Sequence, residues 1–145
     1  MQKRYNLKAV NNVRNNISRF YSQARMTFGM NDIDFLHYVS NRFYITLGSG
    51  AVNLTNRFMG IEDIAEDGKH VITFQEDQEL FDKIDYYLKK PEALESIRVN
   101  AKKLANEKHT YLHRIRNMLD ILHGKSKGFD GFLNNRVTNE AALNL

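Results

Sequence analysis

Residues 40–56 read SNRFYITLGSGAVNLTN and combine three local signals in one segment. Ser40 is a favourable helix N-cap, because its hydroxyl can accept a hydrogen bond from a backbone N–H of the first turn. A helix is therefore predicted from about Asn41 to Leu47. The stretch Gly48-Ser49-Gly50 ends it, since glycine tolerates the left-handed backbone found after helices. Residues Ala51–Thr55 then predict a strand, so the segment forms a helix, a tight turn and a buried strand.

Further helices and strands are predicted on both sides of this unit. Upstream, the patterns indicate a helix over Asn11–Gln23 and a strand over Ala24–Met30. Downstream they indicate a loop over Asn56–Gly60, a short acidic helix over Ile61–Glu66, a strand over His70–Phe74, and helices over Gln75–Lys90, Pro91–Asn106 and Thr110–Leu122. Strands that alternate with helices favour a parallel sheet with helical crossovers. The predicted fold class is α/β, partial Rossmann-like, with about three mainly parallel strands, flanking helices and a helical C-terminus.

Composition limits the classes of protein to consider. The chain has 145 residues, which predicts a single α/β domain over 1–123 followed by a polar tail over 124–145. It has no cysteine, which excludes disulfides and thiolate chemistry. No apolar run approaches the roughly 20 residues of a membrane span, so a cytoplasmic protein is expected. The net charge of +4 and the pI near 9.3 favour an anionic partner.

Several segments together resemble the C-terminal domain of group 1 glycosyltransferases with the two-domain GT-B fold, most of all the CgeB-like branch. The matching segments are VSNRFYITLGSG (39–50), LTNRFMGIED (54–63), Asp67-Gly68, YYLKKPE (86–92) and HTYLHR (109–114). The resemblance covers roughly Ala24–Leu122, and it implies half of such a C-terminal domain, in truncated form. It also implies binding of a nucleotide diphosphate sugar and, in an active enzyme, hexosyl transfer from that donor.

The same resemblance leaves catalytic residues unassigned. In that family the N-terminal domain generally supplies the catalytic base and most of the acceptor site. Many members also carry a Glu-x7-Glu element, whose second acid holds the donor ribose. Aligned on Arg42 and Gly50, the two acidic positions fall near His37 and on Ile45 in this chain.

Two groups of residues are candidate donor-binding residues. Ser40, Asn41 and Arg42 begin a helix, where free N–H groups and a guanidinium suit a diphosphate. A second group, Asn56, Arg57, Gly60 and Glu62, follows the carboxyl end of a strand, where open α/β sheets bind ligands. The alternatives are an N-cap with a surface arginine, and a carboxylate that complements a helix dipole.

No metal, other cofactor or nucleic-acid partner is expected. His109 and His113 are four residues apart, but no HExxH motif and no acidic ligand at helical spacing accompanies them. The basic residues of the C-terminal third are spread over several helix faces, which favours a solvated surface over a nucleic-acid interface.

Two functions remain open. The first is a glycosyltransferase-like nucleotide-sugar-binding domain that works with a separate partner supplying the acceptor domain. The alternative is a non-catalytic interaction protein that retains this fold. Because half a sheet has an unpaired edge, a second copy of the chain or a partner chain is expected to cover it.

Overall fold

The computed structural model of the chain describes residues 16–31, 38–126 and 128. The strands in these ranges are β1 (Thr27–Phe28), β2 (Asn53–Asn56) and β3 (Ile72–Phe74). The helices are α1 (Ile17–Ser22), α2 (Asn41–Gly48), α3 (Ile61–Ile64), α4 (Asp77–Leu88), α5 (Pro91–Lys108) and α6 (Tyr111–Leu122).

The three strands form one parallel sheet in the order β1-β2-β3. Thr27 pairs with Asn53, and Thr55 pairs with Thr73. The connections between the strands contain α2 and α3, so each crossover is helical as parallel pairing requires. The predicted fold class, a partial Rossmann-like α/β fold, is confirmed.

The predicted strand boundaries were wrong by a few residues. The first strand was expected over Ala24–Met30, but β1 contains two residues, because only Thr27 and Phe28 pair with β2 among the described residues. The second strand begins at Asn53 rather than Ala51 and includes Asn56, which was expected in the loop. The expectations for residues 11–15, 32–37 and 129–145 lie outside the described residues.

The core has two layers, one on each side of the sheet. On one side Val52, Leu54 and Ile72 pack with residues of α4 and α5. On the other side the buried residues come mainly from α2, α3 and α5: Phe43, Leu47, Phe58, Ile61, Ile64, Ala101, Leu104 and Ala105. The long helix α5 belongs to both layers and therefore holds α2 in place beside the sheet. Proline at its first position, Pro91, begins α5 as predicted.

Gly50 ends α2 with a left-handed backbone, φ = +69°. A Cβ at Gly50 would meet Lys102 Cδ at 3.6 Å and Arg98 Cγ at 3.7 Å, which are ordinary contacts. The space therefore allows a side chain, and the backbone angle is what requires glycine.

We expect Gly50→Ala to lower the free energy of unfolding by about 1–2 kcal/mol, the cost of a left-handed non-glycine residue. Gly48→Ala is the matched control, since Gly48 is helical and a Cβ there would lie 3.9 Å from Ala105 Cβ. Alanine at 48 should be neutral or stabilise by up to about 1 kcal/mol. Urea unfolding of both variants measures the difference, and equal stabilities would contradict the assignment.

Candidate functional site

An open cleft lies at the carboxyl ends of β1 and β2, beside the first turn of α2. Its volume is about 350 Å³, including space open to solvent. The lining residues are Tyr21, Thr27, Phe28, Gly29, Met30, Asn31, Ser40, Arg42, Phe43, Thr46, Asn53 and Thr55. Open parallel sheets bind ligands at this end of their strands, so the cleft is the candidate site.

The floor of the cleft is polar because side chains alternate along the strands. Leu54 points into the apolar layer, so its neighbours Asn53 and Thr55 point to the opposite face. Thr27 shares that face because it pairs with Asn53. Asn53 is only 4% exposed and lines the cleft. The cleft therefore holds a buried amide that can serve a ligand as donor and acceptor.

The N-terminus of α2 opens on this floor. Ser40 precedes the helix with an extended backbone, and Arg42 lies in the first turn and is exposed. Both residues line the cleft. The first N–H groups of a helix have no intrahelical partners and carry about half a positive charge. Together with the Arg42 guanidinium, they make this wall of the cleft electropositive.

The predicted cap by the Ser40 side chain was wrong. The hydroxyl makes no capping hydrogen bond. Instead, the backbone N–H of Ser40 donates to Asn31 Oδ1 at 3.3 Å. The start of α2 is thus held by the side chain of a residue that follows β1.

Two asparagines tie three segments together at the rim of the cleft. Asn56 Oδ1 accepts from the backbone N–H of Asn31 at 2.7 Å, and Asn56 Nδ2 donates to the backbone oxygen of Asn31 at 3.0 Å. Asn31 Nδ2 in turn donates to the backbone oxygen of Tyr38 at 2.7 Å. We call these two residues the asparagine clasp. It joins the end of β1, the approach to α2 and the end of β2.

The other predicted site residues lie next to the cleft rather than in its lining. Arg57 makes an ion pair with Glu62, with 3.3 Å between Nη1 and Oε1, and reaches Thr73 Oγ1 at 3.5 Å. Since Thr73 pairs with Thr55, the Arg57 guanidinium extends over the same polar face of the sheet. Gly60 precedes α3 with φ = +81°. Asn41 lies at the start of α2 and accepts a hydrogen bond from the Tyr111 hydroxyl at 3.2 Å.

Ile45, at the position of the expected ribose-binding acid, does not line the cleft. The residues of α2 that do so are Arg42, Phe43 and Thr46. Of these three, Thr46 is the polar residue nearest the middle of α2. Its hydroxyl forms a hydrogen bond within the helix, since it donates to the backbone oxygen of Arg42 at 2.9 Å. No carboxylate or imidazole is among the residues that line the described cleft.

The sequence itself matches the family described as glycosyl transferase-like over residues 4–120. The chain belongs to this glycosyl transferase-like family. No curated protein matches the chain. The family match covers all three strands and almost all of the helices, so the residues that line the cleft lie within the matched range.

Across the part of the chain that is described, no group of three or more histidine, cysteine, aspartate or glutamate side chains is arranged to hold a metal ion. No described helix is long and apolar enough to cross a membrane.

The HTYLHR segment of the family resemblance fixes α6 against α2. Thr110 caps α6 by accepting from the backbone N–H of His113. The Arg114 guanidinium lies over the Tyr44 ring, 4.2 Å from its centroid. His109 packs against the same ring, with the centroids 5.1 Å apart. This packing holds the helix whose N-terminus forms one wall of the cleft.

His109 is an unusual histidine because it is buried, with 6% of its surface exposed, and neither ring nitrogen has a partner of good hydrogen-bonding geometry among the described residues. Burial lowers its pKa to about 4, and the positive charge of Arg114 acts in the same direction. A weak contact with the Ile64 backbone favours the charged form but does not compensate. The imidazole is therefore neutral at pH 7.

Sequence reasoning missed the residues of the cleft floor and, at the rim, Asn31, whereas Asn56 was among the predicted site residues. Asn31 follows the strand predicted over Ala24–Met30, and Asn53 and Thr55 fell in a predicted buried strand. The signal that could have found the strand residues is the NLTN pattern, in which one apolar residue alternates with buried polar ones. A strand inside a fully apolar environment would instead read as a continuous hydrophobic run.

Proposed function

We propose that this chain binds a nucleoside diphosphate, free or as the leaving part of a nucleotide-sugar donor, in the cleft beside α2. In this proposal the chain is the donor-binding part of a glycosyltransferase, and a separate partner supplies the acceptor-binding part. The observation that carries it is that Arg42, the α2 N-terminus and the buried amide of Asn53 line one cleft. Membership of the glycosyl transferase-like family supports the same ligand class.

Electrostatics and geometry support a diphosphate in particular. The α2 N-terminus attracts negative charge, and Arg42 can donate two parallel hydrogen bonds to phosphate oxygens. Gly29 follows β1 and lines the cleft, which lets a ligand approach the backbone closely. The Arg57–Glu62 pair beside the cleft is exposed and can rearrange when a ligand binds.

In an active complex the contribution of this chain would be electrostatic. Negative charge grows on the diphosphate as the bond between sugar and phosphate breaks. The α2 N–H groups and Arg42 would stabilise that charge, as preorganised donors do in other transfer reactions. Because no carboxylate or imidazole lines the described cleft, the group that deprotonates the acceptor would belong to the partner.

We expect UDP or GDP to bind at millimolar concentration or below, and Arg42→Ala to weaken that affinity about tenfold, the loss of one charge-assisted contact. Isothermal titration of the two nucleotides and their sugar derivatives measures this. Arg25→Ala is the matched control, since Arg25 is an exposed arginine before β1, at the opposite end of the strand. Absence of binding up to several millimolar, or equal losses in both variants, would contradict the proposal.

A non-catalytic interaction protein is the second candidate. Two observations favour it: Ile45 occupies the position of the ribose-binding acid, and β1 pairs only with β2 among the described strands, so its other edge is open there. A second copy or a partner chain would cover that edge. Nucleotide titration separates the candidates, because an interaction protein would bind none of the nucleotides yet would form a dimer or complex in light scattering.

A further inference from the structure

Arg57 lies beside the cleft, and β3 holds both its backbone and its side chain. The backbone N–H of Arg57 donates to the backbone oxygen of Phe74 at 2.8 Å. Its Nη2 donates to Thr73 Oγ1 at 3.5 Å. These contacts direct the guanidinium across the polar face of the sheet, which is also the face that forms the floor of the cleft.

The partner of this guanidinium on β3 is the direct neighbour of the cleft floor. Thr73 pairs with Thr55 in the sheet, and Thr55 lines the cleft. Paired strands lie only about 4.8 Å apart. A ligand that lies over Thr55 and extends toward β3 therefore approaches the Arg57 guanidinium.

The asparagine clasp brings the segments that carry Arg42 and Arg57 to the same end of the sheet. Ser40, two residues before Arg42, donates its backbone N–H to Asn31 Oδ1. Asn56, immediately before Arg57, bonds to the backbone of Asn31. Two guanidinium groups on neighbouring segments suit a ligand with two anionic groups, because each can hold one phosphate through a pair of parallel hydrogen bonds.

The carboxylate of Glu62 occupies the Arg57 guanidinium in the structure. Arg57 Nη1 lies 3.3 Å from Glu62 Oε1, and the two side chains are 44% and 61% exposed. An exposed ion pair contributes little to stability, so it exchanges readily for a stronger partner. A phosphate is such a partner, because it carries more charge and more acceptor oxygens than a carboxylate.

Glu79 is also close enough to interact with Arg57, but its carboxylate has stronger partners. Its Oε1 lies 2.9 Å from Lys83 Nζ, and its Oε2 accepts from the backbone N–H of Gln75 at 2.8 Å. The hydrogen bond from Gln75 and the one from Lys83 lower the pKa of Glu79 most, and the charge of Arg57 contributes least. Glu62 is therefore the carboxylate that an incoming phosphate displaces from Arg57.

We propose that Arg57 binds the second phosphate of a diphosphate whose first phosphate lies at Arg42 and the α2 N-terminus, and that Glu62 pairs with Arg57 until the ligand replaces it. The inference rests on the proposed nucleotide site and adds its selectivity. A diphosphate binds in preference to a monophosphate, because only the diphosphate reaches both arginines. Glu62 acts as an internal competitor and lowers the affinity of the site.

Isothermal titration of the full chain with UDP and UMP, and with GDP and GMP, tests the proposal. The titrations use about 0.15 M salt, at which exposed charges more than about 8 Å apart are largely screened. We expect Arg57→Gln to weaken diphosphate binding about tenfold and monophosphate binding less than about twofold, because one charge-assisted contact is lost with the diphosphate alone. Glu62→Gln should tighten diphosphate binding about threefold, but only when Arg57 is present.

Glu66→Gln is the matched control, because Glu66 is an exposed carboxylate that pairs with Lys69 at 2.9 Å and its replacement changes the net charge equally. It should leave nucleotide affinity unchanged. Equal tightening by Glu66→Gln, or by Glu62→Gln without Arg57, overturns the role of Glu62 in favour of general repulsion. If Arg42→Ala weakens diphosphate binding but Arg57→Gln does not discriminate between diphosphate and monophosphate, this inference fails and the proposed function stands. If no diphosphate binds up to several millimolar, the proposed function itself fails.

Discussion

Acidification from pH 7.5 to pH 4.5 is expected to cost this domain about 2–3 kcal/mol of unfolding free energy through His109 alone. The pKa of the imidazole is about 4 in the folded chain, against about 6.5 when the chain is unfolded. The unfolded state therefore binds a proton first as the pH falls. The stability from the neutral imidazole is fully present above pH 6.5, and it is lost progressively as the pH falls toward 4.

The cause of this dependence is the position of the ring between α2 and α6. Burial opposes the charged form most, and the neighbouring basic side chains of Arg114, Lys108 and His113 add to the effect. Replacing the imidazole by an apolar side chain removes the titration. His109→Leu should therefore be at least as stable as the natural chain at pH 7.5 and should lose about 2–3 kcal/mol less by pH 4.5.

Urea unfolding at a series of pH values checks this expectation. His123→Leu is the matched control, since His123 is exposed at the end of α6. His70 also has a pKa lowered by burial, so a smaller slope in the same direction is shared by all variants. If leucine at 109 perturbs packing, His109→Gln gives a second neutral side chain. Pronounced acid sensitivity that persists in both variants would contradict the role of His109.

The fold was predictable because its signals are local. Helix periodicity, Pro91 at the start of α5 and Gly50 after α2 each reflect a constraint within a few residues of the chain. The length of β1 was not predictable in this way, since strand bounds depend on which residues meet β2 in space. Strand propensity extends from Ala24 to Met30, but only two of these residues pair with β2.

The candidate site was predictable in part. Helix termini are local features, and Ser40 and Arg42, which were predicted to bind the donor, line the cleft. The asparagine clasp joins residues 25 positions apart, and no local sequence pattern predicts such a contact. The exposure of the apolar side chains of α6, among them Leu112, Ile115 and Leu122, could not be predicted for a similar reason. Periodicity shows that a helix has an apolar side but not which way the domain turns it.

The asparagine clasp is expected to matter for both stability and ligand binding. Asn31 is buried, with 8% of its surface exposed, and its carboxamide bonds to Tyr38 C=O and Ser40 N–H. Asn31→Ala removes both bonds and leaves two backbone groups without their partner. We expect the free energy of unfolding to fall by about 1–3 kcal/mol, since each of these two part-buried hydrogen bonds contributes about 0.5–1.5 kcal/mol.

Asn31→Ala should also weaken nucleotide binding about tenfold, because the clasp sets the position of the α2 N-terminus and of Arg42. Preorganised donors lose much of their effect when they are misplaced by about 1 Å. Asn106→Ala is the matched control, as Asn106 is an exposed amide on α5, and it should change stability by less than about 0.5 kcal/mol. Urea unfolding and nucleotide titration measure the two effects separately.

Asn31→Asp distinguishes a scaffold role from a general loss of folding. The aspartate keeps an oxygen that can accept from Ser40 N–H, but its second oxygen faces Tyr38 C=O, to which Nδ2 now donates at 2.7 Å. Repulsion between these oxygens and burial of the charge should lower its stability at least as far as in Asn31→Ala. Its negative charge lies at the rim of the cleft and repels phosphate. We therefore expect Asn31→Asp to be the weaker nucleotide binder of the two variants, by a margin that narrows as the salt concentration rises. If that margin did not change with salt, the clasp would act on the fold alone, and the electropositive wall of α2 would not be the phosphate site.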